Sequence, residues 1–205
     1  MIQRPLPFVW PTDLRDAAFI ETPSNAAAVR HLGRPGTWPV AASLLIGPRK
    51  SGRSTLARAF VAATGGTLID DADRAEERAL FAAWNEAQTS RTPLLMVAEV
   101  APPAWTIALP DLRSRLAATP VAAIGPPDDD LIGRLLARLL ERRGLPLGLD
   151  VRAYLIPRAQ RSHHAVIALA DALDMASLAR GGPVTIPLAR MVLGEGAIDG
   201  QGGGG

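Results

Sequence analysis

Four short apolar runs, at 42–46, 67–69, 94–98 and 121–124, each end in a polar or glycine-rich turn and are separated by helical patterns. This alternation constrains the fold more than any other feature. Continuous apolar runs of this length are what strands covered on both faces look like, because every residue then meets a helix rather than water. The helical patterns lie at 54–63, 74–89 and 112–117. Strands alternating with helices predict an α/β fold with a parallel sheet between helical layers. The stretch between the helix 54–63 and Asp70 is too short for a further strand and its return helix, so the sheet should be reduced to about four strands.

After Gly125-Pro126-Pro127 the pattern turns to helices alone. Asp128 to Asp130 supply a cap, Leu131, Leu135, Leu136, Leu139 and Leu140 form an apolar stripe, and Gly144 stops it. Further helices are expected over 151–160 and 162–180 and from about Pro187, a helix-starting residue. The layout is therefore a segment 1–12, an α/β unit 13–126, a small helical unit 127–196 and a Gly-rich flexible tail 197–205.

Of the 205 residues 48% are apolar, enough for a core, and none is cysteine, which excludes disulfides and cysteine-held metals. The net charge is +2, Lys50 is the sole lysine and the arginines are scattered, so no basic face for nucleic acid is expected. Residues 1–11 lack the apolar run of a secretory leader, and the apolar stretch 93–110 is broken by Glu99 and several prolines. A cytoplasmic protein without a membrane segment is expected.

Gly47, Pro48, Arg49, Lys50, Ser51, Gly52, Arg53 and Ser54, with Thr55 behind them, join a strand pattern to a helix pattern. Glycines in that setting let successive backbone N–H groups turn inward on a phosphate, the helix N-terminus adds positive potential, and the Ser54 hydroxyl is placed to ligate Mg²⁺. Arg53 stands where such loops carry a lysine. A planar fork does not replace a compact ammonium, so binding of ADP or ATP is expected with little turnover. Asp70 and Asp71 follow the second apolar run, at the strand end where parallel sheets hold ligands. Asp70 suits the Mg²⁺ shell and Asp71 the position that orients attacking water; the alternative is that the pair simply caps the next helix.

Together with that loop and acidic strand end, several strings resemble the DnaA-related AAA+ proteins, specifically the Hda branch. They are Thr22-Pro23-Ser24-Asn25-Ala26-Ala27-Ala28, Leu80-Phe81 with Trp84-Asn85, and Pro102-Pro103-Ala104-Trp105. Leu109-Pro110-Asp111-Leu112-Arg113-Ser114-Arg115-Leu116, the most specific of them, and Leu173-Asp174 with Val184-Thr185-Ile186-Pro187 complete the set. The resemblance implies an AAA+ base with a helical lid, an adenine nucleotide between them, and oligomer contacts in which one subunit's arginine reaches a neighbour's nucleotide. Arg115 matches that arginine finger, and a guanidinium delivered in trans can neutralise charge developing on a phosphate. Two positions depart from the family pattern. Glu99 occupies the region of a short polar sensor, and His164 stands where the lid usually places an arginine, with Arg161 a substitute on the same helical face.

Gln3-Arg4-Pro5-Leu6-Pro7-Phe8 resembles the motif by which Hda proteins dock on the DNA polymerase sliding clamp, Gln3, Leu6 and Phe8 being the contacts. The alternative is that these residues cover their own domain. The family's helix-turn-helix domain has no counterpart here, so sequence-specific DNA binding is not expected. The resemblance thus implies a regulator of replication initiation that, with nucleotide and clamp bound, promotes ATP hydrolysis by DnaA. It would be a weak ATPase at most. The rival expectations are an autonomous AAA+ ATPase or loader and a nucleotide-independent scaffold.

Overall fold

The computed structural model describes residues 19–194. The chain divides at Gly125/Pro126 into two compact units.

The first unit is built on four parallel strands, β1 (Ala42–Ile46), β2 (Thr67–Ile69), β3 (Leu94–Ala98) and β4 (Val121–Ala123), in the spatial order β2-β3-β1-β4. This is the reduced parallel sheet that the alternating pattern predicts. Its helices are α1 (Ala26–Leu32), α2 (Arg53–Thr64), α3 (Glu77–Ser90) and α4 (Pro110–Ala117). Successive strand residues point to opposite faces, and the two layers sort accordingly. Leu44, Leu94 and Met96 pack with Leu80 and Trp84 of α3 and Leu112 and Leu116 of α4. Leu45, Leu95 and Val97 pack with Val29 and Leu32 of α1 and Leu56 and Phe60 of α2. The central strands β1 and β3 are covered on both faces, as their apolar runs predict. The edge strands are not fully buried: Thr67 of β2 and Val121 and Ala123 of β4 are exposed, because an edge strand has a neighbour on one side only.

Helix ends follow local chemistry. α2 stops at Gly65 in the left-handed conformation (φ 68°), a cap that lacks a Cβ clash. α4 begins with Pro110, whose fixed φ suits a first helical turn and whose missing N–H is not needed there. The sequence placed this helix at 112–117; its first turn is added by a loop contact described below.

The second unit holds α5 (Asp129–Glu141), α6 (Leu149–Leu155), α7 (His163–Arg180) and α8 (Ile186–Val192). Asp128 caps α5 by accepting from the Leu131 N–H at 2.8 Å, and Thr185 caps α8. Ile132, Leu136 and Leu140 of α5 face Val166, Ala170 and Leu173 of α7, with Val151, Leu155 and Leu188 closing the core. Arg143 pairs with Asp171 and Asp174 and ties the end of α5 to α7. Among the described residues no helix is long and apolar enough to cross a membrane.

Candidate functional site

Because all four strands run parallel, their carboxyl ends gather along one edge, and the loop from Gly47 and the acidic candidates Asp70 and Asp71 lie there, whereas Arg115 lies near the end of α4. The loop from Gly47 leaves β1 and enters α2 at Arg53. Three of its residues have positive φ, Gly47 at 157°, Lys50 at 67° and Gly52 at 89°. Alternation of this kind turns neighbouring N–H groups to one side and makes the concavity that anions occupy. Backbone crowding explains the first glycine: a Cβ on Gly47 would lie 2.9 Å from the Ile124 carbonyl oxygen and 3.3 Å from Ser51 Oγ.

The residues present fit a phosphate group on a second observation. Ser51 Oγ and Arg53 Nη1 are both buried and find no hydrogen-bond partner among the described residues. Leaving buried donors unmade costs about 1–3 kcal/mol each, more for a charged group, and phosphate oxygens are the acceptors such donors suit. Arg53, the departure from lysine, opens α2 and is partly buried, with one guanidinium nitrogen shielded from solvent. Ser54 and Thr55 lie in the first turn of α2.

The register of the sheet sets the acidic groups along the same end of the sheet as the loop. Ala98 pairs with Ile46, so Glu99 leaves β3 next to the start of the loop, and β3 separates the loop from β2. Asp70 and Asp71 follow β2 at the same edge, both exposed. Neither works as a side-chain cap for a helix. Asp71 adopts φ 49° without a capping bond, and Asp70 accepts from the Asp71 N–H at 3.1 Å. Asp73, which the sequence reading passed over, accepts from the Glu99 N–H at 3.2 Å and holds the end of β3. No group of three or more metal-ligating side chains is assembled among the described residues, so a divalent ion here would need phosphate oxygens to complete its shell.

Phe19 was also missed. Its ring walls the loop, 3.0 Å from where a Cβ on Gly52 would sit. The Thr22-Pro-Ser-Asn string explains how that wall is held. Asn25 Oδ1 accepts from the Thr22 N–H at 3.0 Å and Asn25 Nδ2 donates to the Ile20 carbonyl at 2.8 Å, with Asn25 only 1% exposed. The signal was the asparagine, whose amide can close a turn on itself.

Arg115 lies on α4, half buried, with its guanidinium carbon 4.6 Å from the Phe81 ring centroid and 4.9 Å from that of Trp84. Its Nε is buried without a partner, and it makes no ion pair among the described residues. Trp84 is itself fixed, donating from Nε1 to Thr119 Oγ1 at 3.0 Å.

In the second unit the structure corrects one expectation. Arg161 does not share a helical face with His164, because α7 begins at His163 and Arg161 lies in the turn before it, paired with Asp129 at 2.8 Å. His164 is exposed, whereas His163 is buried with both ring nitrogens unpartnered, and burial pushes its pKa below the ordinary histidine value. Gln3, Leu6 and Phe8 lie outside the described residues.

Residues 128–193, the four-helix unit, match the family model described as the Hda lid domain. Domain III of the Thermotoga maritima replication initiation protein DnaA superposes with a TM-score of 0.70 at 16% identity, over 91% of this chain and 98% of that one. The helical unit is thus similar to an Hda lid, and the chain as a whole has the fold of DnaA domain III. AMPPCP-bound DnaA from Aquifex aeolicus has a similar fold, with a TM-score of 0.62 at 14% identity, over 81% of this chain and 66% of that one. An uncharacterized protein of Haemophilus influenzae is 32% identical over 118 residues, 57% of this chain and 51% of its own length. The chain thus spans about half of that curated relative. The stretch matched by the lid model spans α5 to α8.

Proposed function

We propose that this chain is an AAA+ regulator of replication initiation that promotes hydrolysis of ATP bound to DnaA, holding its own adenine nucleotide and docking on the DNA polymerase sliding clamp. The lid match and the DnaA-like base support the setting. The observation that carries the reading is Arg115, a half-buried guanidinium over two rings with no ion pair to a carboxylate among the described residues. A partly desolvated charge without a counter-ion is unfavourable until one is supplied, and a phosphate on a partner's nucleotide supplies it while gaining transition-state stabilisation. Arg115→Ala should fold, bind nucleotide as the native chain does and lose stimulation of DnaA's ATP hydrolysis. Normal stimulation by this variant removes the assignment.

The chain's own nucleotide would be held by Gly47 to Thr55, with Mg²⁺ between its phosphates, Ser54 and Asp70. When bound it supplies the negative charge that the loop amides, Ser51 and Arg53 are arranged to receive. Arg53 in place of lysine, and Glu99 beside the loop, favour ADP held without efficient turnover. ADP with Mg²⁺ at 100 times its Kd should stabilise the fold by about 2.7 kcal/mol, and an unchanged melting temperature would argue for a nucleotide-independent scaffold. Steady-state ATP hydrolysis by the purified chain alone would instead support an autonomous ATPase. Clamp docking through Gln3, Leu6 and Phe8 is tested by retention of the full chain on immobilised clamp, which Leu6→Ala with Phe8→Ala should abolish.

A further inference from the structure

The helix that carries Arg115 begins at a carboxylate. Glu77, the first residue of α3, accepts from two successive backbone N–H groups of the loop entering α4: Ala108 to Oε1 at 2.8 Å and Leu109 to Oε2 at 2.6 Å. Both oxygens of one side chain are thereby committed to the last two amides before Pro110. Pro110 has no N–H, so these two are the last backbone donors through which the chain can be gripped before α4 starts. The carboxylate lies at the N-terminal ends of both α3 and α4, where the partial positive charge of each helix favours it.

Three further contacts between the same two helices fix the remainder. Phe81 and Trp84, one and two turns on from Glu77 along α3, flank the Arg115 guanidinium. Trp84 Nε1 donates to Thr119 Oγ1 at 3.0 Å, and that hydroxyl donates to the Arg115 carbonyl at 2.9 Å. α4 is thus gripped at its start, along its length and just past its end, always by α3. It is a short helix of eight residues. A small change in its entry angle would displace Arg115, two turns away, even if the rings stayed in place.

We infer that Glu77 is the positioning residue for Arg115: it fixes the start of α4 through the Ala108 and Leu109 amides and so sets where the guanidinium meets a partner's phosphate. This rests on the reading of Arg115 given above. Glu77 itself touches no reacting group. Positioning by such a grip acts on the rate at saturation rather than on how tightly the partner is held.

The test measures single-turnover hydrolysis of ATP by DnaA against increasing concentrations of the full chain, with clamp on DNA present, for the native protein, Glu77→Ala, Glu77→Gln and Arg115→Ala. Glu77→Ala should lower the maximal rate about tenfold, the scale of one lost charge-assisted contact, with the half-saturating concentration nearly unchanged. Glu77→Gln keeps one acceptor oxygen and should fall between alanine and native. If alanine does not fold, the glutamine variant decides alone, and native-like stimulation by it overturns the inference. A variant that merely unfolds in part would raise the half-saturating concentration without lowering the plateau, and that pattern also overturns it. Independently of any partner, hydrogen exchange at the Ala108 and Leu109 amides should be slow in the native chain and faster in both Glu77 variants; equal rates mean that the grip is not made. Loss of stimulation by Arg115→Ala with full stimulation by Glu77→Ala would refute the role of Glu77 and leave the arginine standing. Normal stimulation by Arg115→Ala would refute the arginine reading itself.

Discussion

Lys50 adopts φ 67° in the middle of the candidate phosphate loop. A Cβ in the left-handed region crowds the following carbonyl and costs roughly 1–2 kcal/mol, which glycine avoids while paying part of it back in chain entropy. Lys50→Gly should therefore raise stability, measured without nucleotide, by about 0.5–1 kcal/mol, a rise of a few degrees in Tm. Lys50→Val, branched at Cβ, should lower it. A fall in Tm on substitution by glycine would mean that the lysine side chain makes compensating contacts. Backbone strain retained in a loop of this kind fits a site whose N–H directions matter more than its own stability.

At the scale of elements, the α3 and α4 pair shows how a polar contact sets the packing of an apolar layer. Trp84 and Thr119 are both buried, at 8% and 4% exposure, and their hydrogen bond spans the layer under the sheet. Thr119→Val keeps the volume but leaves the indole N–H without its acceptor, which should cost about 1–3 kcal/mol. Equilibrium denaturation checks this, and a cost near zero would mean that water reaches the indole. Trp84→Phe with Thr119→Val removes donor and acceptor together, so the pair should recover part of the loss.

Over the whole molecule, each unit contains one histidine whose pKa is lowered by burial: His31 in the first unit, which shares a hydrogen bond with Ser43 Oγ, and His163 in the second, lid-like unit. Both favour the neutral form when folded. The unfolded chain then takes up protons that the folded chain does not, so stability is complete above the ordinary histidine value of about 6.5 and declines as pH falls through it. Thermal unfolding should shift to lower temperature between pH 7.5 and 5.5, in the second unit as well as the first. His163→Leu should reduce the second unit's share of that shift, and an unchanged pH dependence would assign the effect elsewhere.

The sequence by itself determined the α/β class, the reduced sheet and the loop between β1 and α2. Those features rest on periodicity and on short-range backbone chemistry, which are written in consecutive residues. It also carried the AAA+ resemblance, because strings such as Leu109 to Leu116 remain recognisable without coordinates. Only the tertiary structure decided what depends on residues far apart in the chain. Glu77 meets the amides of Ala108 and Leu109 across 31 and 32 positions, Phe19 reaches Gly52, and Asp73 holds Glu99; no local pattern announces such pairs. Arg161 shows the converse, since helical spacing placed it on a face that the helix does not extend to cover. A carboxylate in sequence is only an acceptor, and which backbone it grips is settled when the strands bring distant loops to one edge of the sheet.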